Sequence, residues 1–223
     1  MRLDVLLPHL IAAGLILLIS FPVHEFAHAW TAWRLGDSTA KLFGRLTLNP
    51  LVHLDPAGAI LLVLSSLVGF GIGWAKPTPV NPNNLRGGRF SEAMVAAAGP
   101  LSNLVLAAVG AIFVRLLIPV VENGTDVPPV VFDVLLNFVV INVALLFFNF
   151  VPVPPLDGSK VMFAFMTPRA QWQWRPVLEQ YGILLLLVVA FLPIFGGGQT
   201  LFGLVFTRIG GPLINLLVGV DVI

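Results

Sequence analysis

The sequence predicts an all-α polytopic membrane protein, a bundle of about five or six transmembrane helices. Hydrophobic residues make up 57% of the 223 residues and charged residues only 10%, whereas a soluble domain is about half apolar and a quarter charged. The chain also contains long runs without Asp, Glu, Lys or Arg, and about 20 apolar residues suffice to cross a bilayer. These runs are 5–23, 56–75, 93–114, 134–156 and 180–207.

The composition excludes several other classes of protein. Lys and Arg total 12 and Asp and Glu total 11, a net charge of +1. The chain therefore has no basic surface for a phosphate backbone, and we expect no nucleic-acid partner. The absence of Cys excludes disulfides and thiolate metal sites. The 17 Phe and 5 Trp residues are the opposite of a disordered composition.

The elements follow from these runs and the residues that break them. The first helix continues to residue 35, where Gly36 and Asp37 stop it. Glycines at 69, 71 and 73 make a poor helix, so we interpret 58–74 as a re-entrant segment, with a short membrane span as the alternative. The predicted single domain, 1–223, comprises a first helix (5–35), a connecting region (38–57), the re-entrant segment (58–74), two core helices (93–118 and 132–152), a Pro-rich segment (152–160) and a C-terminal helical hairpin (181–220).

Basic residues in the short loops predict the orientation in the membrane. They cluster after the first helix, before the first core helix and after the second, whereas the loop between the two core helices is acidic. Basic loops stay on the cytosolic side, so we expect the N-terminus to lie outside. The basic loop residues are Arg34, Lys41, Arg45, Lys76, Arg86, Arg89, Lys160, Arg169 and Arg175.

Residues 24–28 of the first helix read His-Glu-Phe-Ala-His. Residues four apart share a helix face, so His24 and His28 can bind one metal ion, and two imidazole nitrogens suit zinc. Glu25 is adjacent and can take a proton from a metal-bound water as that water attacks a carbonyl. Ionisable residues inside a membrane helix are unfavourable in free energy, so their presence indicates a functional site rather than polar residues of the bundle core without a function.

Asp157 is the candidate third ligand. It follows a Pro-rich stretch that cannot continue the preceding helix, and such an extended segment can direct a carboxylate at a metal on a neighbouring helix. His24 lies ten residues before Arg34 and Asp157 three before Lys160, so both approach from the same membrane face. The alternative is that Asp157 only caps a short helix over 158–167.

Four segments in this order resemble the site-2 protease family of intramembrane zinc metalloproteases. They are 24–28, 44–55, 99–103 and 149–158, and Ser159 stands where the family often has Gly. The chain looks most like compact prokaryotic members without PDZ or CBS domains. The resemblance implies that His24, His28 and Asp157 hold one Zn²⁺ per chain and that Glu25 is the general base.

The resemblance has further structural implications. It places Asn149 near the metal, where it would polarise the scissile carbonyl or bind the substrate backbone. It also implies a small membrane-associated β-hairpin within 38–57, centred on residues 40–48. We hypothesise that one strand of this hairpin accepts the substrate by edge pairing.

The function expected from the resemblance is hydrolysis of a peptide bond within or next to the transmembrane segment of a membrane-protein substrate. The expected partners are that substrate, the lipid bilayer and a separate regulatory protein. The expected location is the prokaryotic inner membrane, with the site open toward the cytosol. Two alternatives remain at this stage, an ion or metal transporter and a catalytically silent binder.

Other polar and small residues receive structural interpretations. Asn103 in the first core helix is typical of hydrogen bonding between helices, and Gly99-Pro100 permits close packing or a kink. His53 and Asp55 are interpreted as caps of the turn that follows them, in preference to a second metal site.

Overall fold

The computed structural model describes residues 3–67, 73–195 and 198–222. Five helices in these ranges are long and apolar enough to cross a bilayer. The predicted fold class, an all-α polytopic membrane protein, is confirmed. The five spans are Leu7–Arg34, Gly88–Glu122, Pro129–Asn149, Pro168–Phe191 and Leu201–Val218.

The first span is continuous but not uniform. It consists of α1 (Leu3–Leu15), a π-helical turn (Ile16–Ser20) and α2 (Phe21–Arg34). Single π-turns within helices frequently occur at functional sites, and this one ends just before the histidine motif. α2 ends at its C-cap residue, Leu35, and Gly36 follows with φ of +110°, a conformation that terminates helices.

The connecting region contains two helical turns, α3 (Thr39–Leu42) and α4 (Pro50–His53), and its described residues form no strand beyond a single bridge at Leu54. The β-hairpin predicted within 38–57 is therefore wrong. The hypothesis that 40–48 supplies a strand edge for the substrate fails with it.

Side chains that accept backbone N–H groups explain why helical turns form there. Asp37 Oδ1 accepts the N–H of Thr39 at 3.0 Å, and Asn49 Oδ1 accepts the N–H of Leu51 at 3.1 Å. These local bonds satisfy the first free donors of a helix, so they favour a helical turn over an extended strand.

The next element, α5 (Pro56–Leu67), has 12 residues, about 18 Å of helix, too short to cross a bilayer. The chain then returns beside its own starting point. Ala75 bridges Leu54 in antiparallel register, and the N–H of Lys76 donates to the carbonyl of His53 at 2.8 Å. The two described ends of the segment therefore lie side by side. Residues 68–72 lie outside the described residues, and the re-entrant interpretation stays a prediction.

The two core helices are α6 (Gly88–Glu122) and α7 (Pro129–Asn149). The 21 residues of α7 correspond to about 31 Å, close to the apolar thickness of a bilayer. α6 packs against both α2 and α7. It therefore connects the histidine motif to the centre of the bundle.

The C-terminal part begins with α8 (Asp157–Phe165) and α9 (Pro168–Phe191). The hairpin predicted over 181–220 starts earlier than expected, because Thr167 Oγ1 caps α9 by accepting the N–H of Ala170 at 3.3 Å. Charged residues of the first turns of α9 interrupt the apolar run in the sequence but are compatible with a helix at the membrane surface.

A short antiparallel sheet joins α9 to the last helix. β1 (Pro193–Phe195) pairs with β2 (Gln199–Thr200), and the chain continues through α10 (Leu201–Val205), a π-helical turn (Phe206–Gly210) and α11 (Gly211–Val218). Residues 196 and 197, between these two strands in the sequence, lie outside the described residues. The main buried cluster lies between α6, α7 and α11: Ala107, Ala111, Val114, Val139, Val143, Ile214 and Val218.

Asp37 fastens the end of the histidine-bearing span to the segment that precedes α6. Its carboxylate is fully buried and accepts hydrogen bonds from the N–H and hydroxyl of Thr39, the N–H of Asn81 and the side-chain amide of Asn84. Burial alone would raise the pKa of Asp37, but these hydrogen bonds outweigh burial and lower the pKa below its usual value.

We predict that Asp37→Asn destabilises the protein at neutral pH by about 1–3 kcal/mol, because charge-assisted hydrogen bonds are lost. A carboxyl group whose pKa is lower in the folded chain than in the unfolded chain stabilises the folded state at pH values above its unfolded-state pKa of about 3.9. That contribution disappears as pH falls through the folded-state pKa. The unfolding temperature in detergent should be lower for the variant than for wild type at pH 7, and this difference should become smaller below about pH 4.

The exposed carboxylate of Asp126 provides the control, since Asp126→Asn should leave the unfolding temperature unchanged. The role given to the Asp37 carboxylate would be contradicted if the difference in unfolding temperature between wild type and Asp37→Asn stayed constant as the pH falls through the acid range.

Candidate metal centre

Three side chains from two helices bring their ligand atoms together. His24 and His28 lie one turn apart in α2, and Asp157 is the first residue of α8. The two Nε2 atoms are 3.0 Å apart. Oδ2 of Asp157 lies 3.3 Å from Nε2 of His24 and 3.0 Å from Nε2 of His28.

This geometry fits a zinc ion. Ligand atoms at about 2.0–2.1 Å from a tetrahedral zinc are about 3.3 Å from one another, and the three separations here are 3.0–3.3 Å. Two imidazole nitrogens and one carboxylate oxygen form a donor set typical of catalytic zinc sites, which keep a fourth position open. The arrangement could therefore hold one metal ion.

Both imidazoles are oriented through their other ring nitrogen. Nδ1 of His28 lies 2.7 Å from the backbone carbonyl oxygen of Val95, and Nδ1 of His24 lies 2.7 Å from Oδ1 of Asn103. A carbonyl oxygen only accepts, so Nδ1 of His28 donates its proton and Nε2 presents a lone pair to the metal position. Bonds of this kind commonly fix metal-binding histidines.

The same orientation follows for His24 from a chain of hydrogen bonds that ends at the backbone. Nδ2 of Asn142 donates to the carbonyl of Phe138 at 2.9 Å, so Oδ1 of Asn142 faces Asn103 and accepts from Asn103 Nδ2 at 3.0 Å. Oδ1 of Asn103 is then left to accept the Nδ1 proton of His24. Both asparagines are fully buried, and the direction of every bond follows from one carbonyl.

The absence of a side chain at Gly99 makes room for both imidazoles. A Cβ atom there would lie 2.6 Å from Nε2 of His24 and closer still to the ring of His28. Val95, Gly99 and Asn103 follow at intervals of four residues, so they share one face of α6. This face supports both histidine rings.

Asp157 reaches the site because the Pro-rich segment turns back after α7. Leu156, rather than Asp157, occupies the N-cap position of α8, and no side-chain cap bond is formed there. The alternative in which Asp157 only caps this helix is therefore wrong. Its Oδ1 lies 3.6 Å from Nζ of Lys160, while its Oδ2 faces the two histidines.

Gly158 permits this turn, because a Cβ atom there would lie 2.6 Å from the carbonyl oxygen of Val151 and closer still to that of Phe150. The residue after Asp157 must therefore be small enough for the start of α8 to pack on the end of the preceding segment.

Glu25 directly follows His24 in the chain and is almost fully buried, with 8% of its surface exposed. Its Oε2 accepts the backbone N–H of Thr78 at 2.7 Å. The hydroxyl of Thr78 also donates to the backbone carbonyl of Glu25 at 3.1 Å. The residue predicted to act as base is thus fixed by the segment that returns from α5.

Other residues singled out from the sequence form hydrogen bonds with groups outside the cluster. Asn149 ends α7 and donates its side-chain amide to the carbonyl of Leu145 at 3.0 Å, so it bonds to its own helix rather than to the histidines. Asp55 caps α5 by accepting the N–H of Gly58 at 2.9 Å, as predicted. His53 is buried and bonds to the carbonyl of Thr47 at 2.8 Å.

The role of Thr78 and the contact of α6 with the histidines are two features of the site that the sequence did not predict. Asn103 makes the predicted bond between helices, to Asn142, but it also holds His24. Gly99 was predicted to permit packing, and the structure shows that the packed groups are the imidazoles. The four-residue spacing of Gly99 and Asn103 indicates that the two residues share one face of α6. It does not indicate which helix this face contacts.

Comparison with known proteins finds relatives that match most of the chain. A protein named putative zinc metalloprotease YwhC, from Bacillus subtilis, is 37% identical over 196 residues, 85% of this chain and 83% of the relative. Rip2 of Mycolicibacterium smegmatis, which carries the same designation, is 32% identical over 177 residues, 79% of this chain and 65% of Rip2. Rip2 of Mycobacterium tuberculosis is 29% identical over 189 residues, 85% of this chain and 69% of Rip2.

No family model and no solved structure matches this chain. The fold and the cluster define an integral membrane protein with a metalloprotease-type candidate metal centre. The relatives identify it further: the chain belongs to the site-2 protease family of zinc metalloproteases. Their names imply Zn²⁺ as its cofactor.

We predict that Gly99→Ala weakens zinc binding by about 10- to 100-fold, because the added methyl group displaces both imidazoles. Zinc content by elemental analysis and zinc affinity by chelator competition in detergent would measure this loss. Gly14→Ala is the matched control, a helical glycine around which a Cβ would meet no atom within 4 Å. Full zinc affinity in Gly99→Ala would show that the rings tolerate a side chain.

We also predict different effects for two substitutions of Asn103 that conserve its size. Asn103→Leu removes the acceptor for His24 and should raise the zinc dissociation constant about 10- to 100-fold. Asn103→Asp keeps the acceptor for His24 but loses the donor to Asn142, so its zinc affinity should fall less than that of Asn103→Leu. Equal zinc affinity of the two variants, measured by chelator competition, would argue against this role of the acceptor.

Proposed function

We propose that this chain is an intramembrane zinc metalloprotease that hydrolyses a peptide bond within or next to the transmembrane segment of a membrane-protein substrate. One observation carries the proposal: Nε2 of His24, Nε2 of His28 and Oδ2 of Asp157 lie within 3.3 Å of one another, with the carboxylate of Glu25 adjacent in the chain. His24 lies ten residues before Arg34, about 15 Å along the helix from the basic end of the span.

His24, His28 and Asp157 would hold the metal. Zinc, when bound, lowers the pKa of a coordinated water toward neutrality and polarises the scissile carbonyl. The protein contributes orientation, because Val95 and Asn103 hold the imidazoles by their Nδ1 atoms. Pre-set ligand geometry removes the need to reorganise the site during the reaction.

Glu25 would act as the general base and then as the general acid. Its carboxylate takes a proton from the attacking water and returns it to the amine that leaves. The substrate must be locally unwound at this step, since the carbonyls of an intact helix are already hydrogen-bonded within it. Substrates whose transmembrane helix contains a helix-breaking residue fit this requirement.

The proposed orientation opens the site toward the cytosol, with the chain in a prokaryotic inner membrane. Two features support it: Lys160 lies 3.6 Å from the carboxylate of Asp157, and the loops on this side of the membrane are basic. A membrane-protein substrate and a separate regulatory protein are the proposed partners.

The experiment compares membrane proteins from cells making wild type, Glu25→Gln or His24→Ala. Glu25→Gln should keep zinc but lower cleavage by a factor of about 10² to 10⁴, because only the base is removed. His24→Ala should lose both zinc and cleavage. Single-pass fragments identified by mass spectrometry should accumulate in both variants and not in wild type.

Glu122→Gln changes an exposed carboxylate at the end of α6 and should match wild type. Zinc-dependent cleavage that persists undiminished in Glu25→Gln would exclude Glu25 as the base. Zinc flux into liposomes without cleavage would instead identify the chain as a transporter.

A further inference from the structure

The extended segment of residues 75–81, here termed the strap, connects the re-entrant segment to the region before α6. Each of its ends is held by a backbone N–H group. The N–H of Lys76 donates to the carbonyl of His53 at 2.8 Å, and the N–H of Asn81 donates to Oδ2 of Asp37 at 2.7 Å. The middle of the strap therefore lies between two residues, Lys76 and Asn81, whose backbone positions are fixed by hydrogen bonds.

The middle of the strap reads Pro77-Thr78-Pro79. Proline has no N–H, so Thr78 supplies the single backbone donor of these three residues. The prolines also fix their own φ angles and restrict the residues before them to extended conformations. The N–H of Thr78 is thus held in one direction by a stiff piece of backbone.

This donor is directed at the predicted base. The N–H of Thr78 lies 2.7 Å from Oε2 of Glu25, and the hydroxyl of Thr78 donates to the backbone carbonyl of the same residue at 3.1 Å. The other carboxylate oxygen, Oε1, has no hydrogen-bond partner among the described residues. A buried carboxylate requires such donors, because water is largely excluded from it.

We propose that Thr78 is a positioning residue for Glu25. Its main-chain N–H holds Oε2 and fixes the carboxylate, so that Oε1 remains to receive the proton of the attacking water. The proposal rests on the proteolytic function proposed above and deepens it. The strap thereby has a role in catalysis and not only in joining two elements.

The test replaces single backbone amides by esters, using α-hydroxy acids introduced at Thr78 or at Lys76. Each replacement removes one N–H and keeps the side chain. The ester at Lys76 is the matched control, because it removes an N–H of the same strap that bonds to His53 and not to Glu25.

The measurements are zinc affinity by chelator competition and cleavage of a labelled synthetic peptide whose oligoleucine helix is interrupted by Asn-Pro. The Thr78 ester should lower kcat about 10- to 100-fold, the loss expected for one charge-assisted hydrogen bond. KM and zinc affinity should stay within about twofold of wild type, because neither the substrate-binding surface nor the ligands change. The Lys76 ester should keep kcat within about threefold of wild type.

The outcomes separate the two proposals. A wild-type chain without zinc-dependent cleavage would overturn the proteolytic function and this proposal with it. A wild-type chain that cleaves the peptide, together with an unchanged kcat in the Thr78 ester, would overturn the positioning role alone. Equal losses in the two esters, or a loss of zinc in the Thr78 ester, would assign the strap a structural role instead.

Discussion

The hydrogen-bond chain from the carbonyl of Phe138 through Asn142 and Asn103 to His24 is the interaction on which the geometry of the metal centre depends. Little water is available at membrane depth, so polar atoms need partners within the protein. A carbonyl at the end of such a chain fixes the direction of every bond before it. Because Asn103 must accept, His24 must donate from Nδ1, and its Nε2 is presented to the metal position.

This chain also explains why the site requires the helix bundle as a whole. Asn103 and Gly99 lie on one face of α6, toward the histidines, while Ala107 and Ala111 on the same helix pack in the cluster with α7. Small residues let the helix backbones approach closely, which is how membrane helices gain packing energy. A shift of α7 relative to α6 would therefore move the bond that orients His24.

The region between the first span and α6 shows where sequence reasoning failed. The predicted β-hairpin does not form, because the side chains of Asp37 and Asn49 accept backbone N–H groups of the two helical turns that form instead, Asn49 as an N-cap. The sequence predicts Asp37 only as a residue that stops the first helix, although its carboxylate also joins the end of α2 to the strap. Such bonds connect positions far apart in the chain, so no local sequence pattern predicts them.

The sequence by itself determined the membrane class, the helical spans and the pair His24 and His28, because composition and four-residue spacing are local properties. It also indicated Asp157, because the Pro-rich segment 152–155 cannot continue the preceding helix and can therefore direct a carboxylate at a neighbouring helix. Only the tertiary structure decided which face of α6 meets α2 and which amide reaches Glu25. The physical reason is that lipid is as apolar as the bundle interior, so hydrophobic patterning does not reveal which helix faces pack together.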